Sequence, residues 1–205
     1  VKFPARIVLD KISDSLGGVD TIFISVTANK GTIWDPHILS KIYEISSTLK
    51  SAPFVDKVMS ITETKSISNK DDMMTVTKIV PDDMTFSSTE DAEKIRNSAK
   101  SNDVLFKRLV NSNETSALIV VSVKVSIPII SPDGQKTKRW CSDQEMCEYL
   151  PDNPDKPTLL NIMAKYADPA FKLRLTGFPY FRYEMQQRLE KDMRLFLILS
   201  LIIML

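Results

Sequence analysis

The chain has 205 residues and a formal net charge of +1, from 27 basic and 26 acidic residues. Charges of both signs are spread along the sequence, whereas a surface that binds nucleic acid needs clustered basic residues. The composition therefore argues against a nucleic acid partner, and the length suits one sizeable core or two small packed subdomains.

The first third of the chain predicts a β-α-β unit. Residues 19–28 place Ile22, Ile24 and Val26 alternately on one face, which is typical of a strand. Asp35 followed by Pro36 is a helix start signal. The helix is expected to run to about residue 50, with a core-facing stripe of Ile38, Ile42, Ile45 and Leu49. Residues 54–66 then predict a second strand from β-propensity.

The middle of the chain predicts further strands and one helix. Residues 73–80 indicate a third strand, and a capping box that starts at Ser87 indicates a helix over residues 88–101. Residues 104–110 and 115–127 are interpreted as strands joined by a turn at residues 111–114. Residues 118–123 form the most apolar of these runs, so a central position in a sheet is expected for them.

Residues 128–156 are interpreted as a long surface loop or insertion. They are rich in Pro, Asp and Lys and show no sustained period. Cys141 and Cys147 lie in this segment, and their closeness is compatible with a short disulfide-closed loop in an oxidising compartment. A pair of free thiols is the alternative.

The last part of the domain predicts a second β-α-β unit. Thr158 caps a short helix, residues 171–176 alternate as a strand, and Gly177 ends that strand. Two β-α-β units that share one sheet give an α+β fold of the ferredoxin-like split β-α-β type. The additional strand-helix-strand between the units would extend the sheet or form a small companion layer.

The end of the chain has the pattern of a segment that enters a membrane. Residues 195–205 carry no charge, but they supply only about half of the ~20 apolar residues that a spanning helix needs. A charged stretch and an aromatic cluster precede them, as at a membrane–water interface. A C-terminal helix buried in a soluble core is the alternative. The predicted membrane-interface residues are Phe178, Tyr180, Phe181 and Tyr183, and the predicted membrane-embedded residues are Leu195, Phe196, Leu197, Ile198 and Leu199. The expected organisation is an extracytoplasmic domain over residues 1–178 and a membrane-entering helix, truncated inside the membrane segment, over residues 179–205.

Several of these segments, in this order, resemble one family. LGGVD followed by TIFISV, then IWDPHILSKIYEISSTLK, then APFVDKVMSITE, and finally LRLTGFPYFRYEMQQRLEKDMRLFLILS, are similar to the loop between the first and second membrane helices of RND exporters. The likeness is to the hydrophobe/amphiphile exporter branch, which includes MMPL-type proteins. It covers residues 3–63 and 171–205, with Asp192 at the position of the family's acidic residue. The cysteine segment departs from the family pattern.

The resemblance implies a porter-type domain on the periplasmic or extracellular side of a multi-pass cell-membrane protein. Its expected function is proton-driven movement of hydrophobic or amphiphilic molecules, with lipids as one class. Its expected partners are that cargo, the membrane, the rest of the same transporter and a second copy. The energy-coupling residues of the family lie in membrane helices that this sequence lacks. A membrane-anchored ectodomain that binds a ligand or senses a signal without transport is the alternative.

The sequence offers no recognisable catalytic or cofactor site. Its five glycines form neither of the usual phosphate-binding loops. His37 lies on a well-patterned helix and is expected to be a surface or packing residue. A zinc site needs more Cys or His ligands than occur near one another here. No enzyme activity, cofactor or metal is therefore predicted.

Overall fold

The computed structural model describes residues 20–70, 73–80, 86, 88–124, 126–130 and 136–204. Strands and helices alternate along these residues. In chain order they are β1 (Thr21–Ala28), α1 (Pro36–Ser51), β2 (Val55–Met59), β3 (Lys65–Lys70), β4 (Met73–Lys78), α2 (Thr89–Lys100), α3 (Asp103–Leu109), β5 (Ser116–Val123), β6 (Ser126–Ile130), β7 (Lys136–Trp140), α4 (Asp143–Cys147), α5 (Leu159–Lys165), β8 (Phe171–Gly177) and α6 (Phe178–Met204).

Four of the strands form one antiparallel sheet in the order β2-β5-β1-β8. The central position expected for residues 118–123 is confirmed, because β5 lies between β2 and β1. In the register of the sheet, Ile24 of β1 is opposite Ile119 of β5 on one side and Leu175 of β8 on the other. α1 connects β1 to β2, and α5 precedes β8. The α+β class is therefore confirmed.

The core lies between one face of this sheet and the helices. Ile22, Ile24 and Val26 of β1 are completely buried, as their alternation predicted. Each such side chain contributes on the order of 1.5–3 kcal/mol when it is removed from water. The stripe predicted on α1 is also confirmed as buried: Ile38, Ile42, Ile45 and Leu49.

The helix starts follow the capping residues closely. The side chain of Asp35 accepts a hydrogen bond from the backbone N–H of His37 at 2.9 Å, and Thr158 caps α5 in the same way. The cap of α2 lies one residue later in the chain than predicted. Ser88 rather than Ser87 caps α2, where its hydroxyl accepts from the backbone N–H of Asp91 at 3.2 Å.

The predicted strand over residues 104–110 is wrong, because this segment contains the helix α3. Its inward-facing residues are three and four positions apart, as on one face of a helix. Phe106 stacks on Trp34 with ring centroids 6.2 Å apart, and Leu109 and Val110 are buried. Residues 111–114 do form a turn, in which the N–H of Glu114 donates to the carbonyl of Asn111. The turn leads from a helix into β5.

Two other segments also differ from the prediction. The interpretation of residues 128–156 as one long loop is wrong, since β6 and β7 pair as a hairpin and α4 buries Met146 and Cys147. Elements of five residues are too short to show a period in the sequence. Residues 54–66 contain β2 and then the beginning of β3. That strand pairs with β4 of the predicted third strand in a separate two-stranded sheet, so residues 73–78 do not extend the main sheet.

Gly177 joins β8 to α6 in a backbone conformation that favours glycine. Its φ is 134°, and a Cβ built on it would lie 2.5 Å from the carbonyl oxygen of Thr21 and 2.9 Å from the Cα of Ile22. A side chain here would therefore push β8 away from β1, where Gly177 is opposite Ile22.

We expect Gly177→Ala to destabilise the domain by about 2–4 kcal/mol, through backbone strain and loss of strand contact. Gly31→Ala is the matched control, because Gly31 also has a positive φ of 72° but has open space around it. That control should cost about 1–2 kcal/mol. Urea unfolding followed by circular dichroism measures both, and equal losses would contradict the close-approach argument.

Glu114 binds three side chains at the end of the sheet opposite to α6. Its carboxylate accepts hydrogen bonds from Nε1 of Trp34 at 2.6 Å and Nε of Arg96 at 2.7 Å, and it pairs with Nζ of Lys100 at 2.8 Å. These contacts, with that of Arg96 the largest, lower the pKa of Glu114 from 4.5 to about 2. The residue also has a φ of 55°, which few non-glycine residues adopt. The carboxylate thus joins the segment before α1, the helix α2 and the turn that leads into β5.

The folded carboxylate of Glu114 protonates near pH 2, and the unfolded one near pH 4.5. Its contribution to stability is therefore fully present above pH 4.5 and is lost as the pH falls toward 2. We expect Glu114→Gln to lower the free energy of unfolding at pH 7 by about 2–3 kcal/mol. The difference from wild type should shrink between pH 4.5 and 2. Exposed Glu93→Gln is the control and should change little; an unchanged difference at low pH would contradict this origin.

Candidate membrane-proximal site

α6 begins immediately after β8 and extends beyond the domain. Its 27 residues correspond to a length of about 40 Å. Only Pro179 and Tyr183 of this helix are buried, and both lie in its first two turns. Most of the later residues are exposed, including Asp192. Among the residues that the structure describes, no helix is both long and apolar enough to cross a membrane.

The four predicted interface residues lie in the first two turns of α6 but in different surroundings. Phe178 and Phe181 are 62% and 57% exposed. Tyr180 is half-buried and donates to Oε1 of Glu184 at 3.0 Å. Tyr183 is buried at 9% exposure, and burial raises the pKa of its hydroxyl. Tyr183 therefore lies in the core, where α4 packs against α6, and the interface role of the four residues stays a prediction.

The five residues predicted to be membrane-embedded are all exposed. Five consecutive residues cover every side of a helix, so no single face of this run is covered by the domain. The exposures are 60% for Leu195, 71% for Phe196, 62% for Leu197, 58% for Ile198 and 50% for Leu199.

Arg182 joins the base of α6 to two other elements. Its Nε and Nη2 donate to the two carboxylate oxygens of Asp143 at 2.6 and 2.8 Å, and Nη2 also donates to Asp20 at 2.6 Å. The guanidinium carbon lies 5.0 Å from the centre of the Phe178 ring. The hydrogen bonds to Asp143 and then to Asp20 raise the pKa of Arg182 further above its ordinary value. We call Arg182, Asp20 and Asp143 the Arg182 cluster.

The Arg182 cluster fixes α6 against the start of β1 and the first turn of α4. Asp20 directly precedes β1, and Asp143 is the first residue of α4. The fork of the guanidinium matches the two oxygens of Asp143, which fixes orientation as well as distance. The Arg182 cluster could not be predicted from the sequence, because its acidic members are 162 and 39 residues away from Arg182.

Of the two states that the sequence left open for Cys141 and Cys147, the structure has the one without a bond between them. Cys147 ends α4, and its side chain is completely buried in the core. Burial raises the pKa of the Cys147 thiol to about 12, so the thiol stays neutral and unreactive near neutral pH. A buried helical position thus replaces the exposed loop on which the disulfide prediction depended.

Other places where chemistry could occur lie away from α6. His37 is on the surface, as predicted, with Nε2 2.9 Å from a carboxylate oxygen of Asp168. Within the described ranges, no three His, Cys, Asp or Glu residues are grouped as metal ligands would be. Two open surface depressions of about 400 and 520 Å³ flank Trp34 and Phe106, respectively. The layer between sheet and helices is filled with buried side chains.

We expect Arg182→Gln to lower the free energy of unfolding by about 1–2 kcal/mol, because two carboxylates lose their charged partner. The side chain is 36% exposed, and solvent screening keeps the loss below that of a buried ion pair. Arg188→Gln is the matched control, since Arg188 is 81% exposed and lies 3.9 Å from Glu184. It should change stability by less than about 0.5 kcal/mol. Chemical unfolding of both variants checks this, and equal effects would show that the cluster is not a structural tie.

Comparison with protein-family models, with curated proteins and with solved structures found no match to this chain. The resemblance to RND exporters therefore stays a prediction from the sequence.

Proposed function

We propose that the chain is the extracytoplasmic domain of a proton-driven, RND-type transporter that moves hydrophobic or amphiphilic molecules, with lipids as one class. The observation that carries the proposal is α6, which begins within the folded domain and ends in an apolar run exposed on every side. Between these parts lies a stretch rich in charged residues, from Glu184 to Arg194.

Exposure of the apolar run is unfavourable in water. Removal of a Leu, Ile or Phe side chain from water contributes on the order of 1.5–3 kcal/mol, and residues 195–204 contain nine large apolar side chains. A bilayer core supplies an apolar environment on all sides of a helix at once, which a single protein surface does not. The run is about 15 Å long, half of the thickness of a hydrocarbon core.

The sheet supports the finer proposal of a ferredoxin-like split β-α-β fold. The four strands of the main sheet, numbered by their order along the chain, lie in the order second, third, first, fourth. A helix lies between the first and second and another between the third and fourth, which is the arrangement of two interlocked β-α-β units. A fold of this type serves many functions, so it supports the domain type rather than transport itself.

The filled core limits where cargo could bind. Ile24, Leu39 and Ile119 are completely buried between sheet and helices, and in the part of the chain that the structure describes this layer is occupied by core side chains. In the proposed transporter, contact with cargo would therefore occur on an outer surface or against another domain. The Arg182 cluster would hold the membrane-entering helix and the sheet in a fixed relation.

The function is tested in cells that express the complete protein. Reporter fusions before residue 20 and after residue 204 should show that membrane helices flank an extracytoplasmic domain. Export of a fluorescent amphiphile should stop when a protonophore collapses the proton gradient. At matched membrane levels, Arg182→Gln should reduce export several-fold and Arg188→Gln should not.

One or two membrane helices, with no export under any condition, would contradict the transporter. That result would favour the alternative, a membrane-anchored ectodomain that binds a ligand or senses a signal.

A further inference from the structure

β8 is one of the two edge strands of the main sheet, and among the described residues it pairs with β1 alone. β2, at the other edge, has five residues, and its register shifts between Val55 and Lys57. Short or bulged strands are poor templates for further pairing. β8 instead keeps an unbroken register with β1 over seven residues. It is therefore the edge to which another strand can be added.

Leu173 and Leu175 carry the backbone groups that face this edge. Where the two strands end, the N–H of Asn29 donates to the carbonyl of Ala170 at 2.9 Å, in continuation of the register between β1 and β8. Antiparallel strands exchange hydrogen bonds at every second residue, so the even-numbered residues of β8 bond to β1. The N–H and C=O groups of Leu173 and Leu175 consequently point away from β1. Each of the two residues offers one donor and one acceptor to a further strand.

The side chains of β8 differ in charge between its two faces. Lys172 and Arg174 are exposed on one face, and neither forms an ion pair with another described residue. Leu173 and Leu175 lie on the other face, where they are partly buried and pack against the core. Leu175 is opposite the completely buried Ile24 of β1. An apolar side chain placed beside Leu175 on an added strand would therefore extend the core.

The two cations determine which kind of strand fits this edge. Residues directly opposite each other in paired strands have their side chains on the same face. A second copy of β8, bonded through its own leucines, would bring its basic face beside Lys172 and Arg174, and like charges in this position repel. Acidic side chains there are attracted. The strand that fits has acidic residues opposite the two cations and apolar residues opposite the two leucines.

We propose that the open edge of β8 binds an extended segment of a partner protein in which acidic residues alternate with apolar ones. Hydrogen bonds to Leu173 and Leu175 hold the backbone of this segment, and Lys172 and Arg174 select its charge. In this mode of recognition the main-chain hydrogen bonds give affinity, and the alternate side chains give specificity. The proposal does not depend on whether the protein transports anything.

Peptide binding to the full chain, in micelles of a non-ionic detergent, tests the strand pairing. The probe is a peptide of about ten residues in which Glu and Val alternate. It should slow hydrogen exchange of the Leu173 and Leu175 amides on the order of tenfold or more. The same peptide with N-methylated Val residues keeps its charge but cannot pair with the leucines, and it should leave both amides unprotected.

Charge reversal tests the selection of an acidic partner. Lys172→Glu with Arg174→Glu should weaken binding of the Glu-Val peptide on the order of tenfold, because two cross-strand pairs change from attraction to repulsion. The same double variant should bind a Lys-Val peptide better than the wild type does. Lys156→Glu with Arg188→Glu is the matched control, since it changes the net charge equally at two exposed positions outside β8. It should bind the Glu-Val peptide like the wild type, and unchanged amide protection of β5 shows that each variant is folded.

Three outcomes would overturn the proposal. Slow exchange of the Leu173 and Leu175 amides before any peptide is added would mean that another segment of the chain or a second copy already covers the edge. Equal binding of the N-methylated peptide would reduce the interaction to charge attraction without strand pairing. An equal loss of binding in the two double variants would show that β8 does not select the charge. Membrane topology and export, which test the proposed function, are independent of all three.

Discussion

The packing of α1 on the main sheet, where it contacts β2 and β5, is the contact on which the rest of the molecule depends. It brings together completely buried side chains from three segments, such as Ile24, Ile42 and Ile119. The two central strands then have fixed ends, one at Asp20 and the other at Glu114 and Thr115. Each end carries one charged cluster that attaches further helices: Arg182 with its two carboxylates at one, and Glu114 with its three donors at the other.

The two charged clusters do different physical work. The Glu114 carboxylate is 14% exposed and binds Trp34 before α1 together with Arg96 and Lys100 of α2, so its loss leaves the buried indole N–H of Trp34 without its acceptor. Arg182 is more exposed, and solvent weakens its ion pairs. Its fork nevertheless determines the direction in which α6 leaves the domain. The contacts of Glu114 chiefly stabilise the fold, whereas the Arg182 cluster chiefly orients α6.

The parts of the fold that could be predicted are those whose signals are local and periodic. The alternation of Ile22, Ile24 and Val26, and the capping by Asp35 and Thr158, needed no tertiary information. α3 could not be predicted, because the stacking of Phe106 on Trp34 decides between helix and strand and joins residues 72 positions apart. The position of Cys147 could not be predicted for a related reason: its burial in the core cannot be read from the spacing of two cysteines.

At the candidate site, the sequence predicted the long C-terminal helix α6 but not what holds its base. An aromatic cluster and an apolar run are composition signals, visible along a single segment. The Arg182 cluster is a contact between segments, and only the sheet brings Asp20 next to α6. Even within the aromatic cluster, composition treated Tyr183 and Phe181 alike, whereas helical position places one in the core and the other in solvent.

The junction of β8 and α6 combines two constraints of different kinds. Gly177 brings the backbone of β8 against Thr21 and Ile22, with no room for a side chain. Five residues later, Arg182 holds Asp20, just before the same part of β1. Two attachments so close together leave α6 little freedom to pivot on the sheet, because a rotation that lengthens one contact strains the other. A displacement of α6 would therefore move β1 and β8 with it, or would first have to break the ion pairs, which are the weaker of the two attachments.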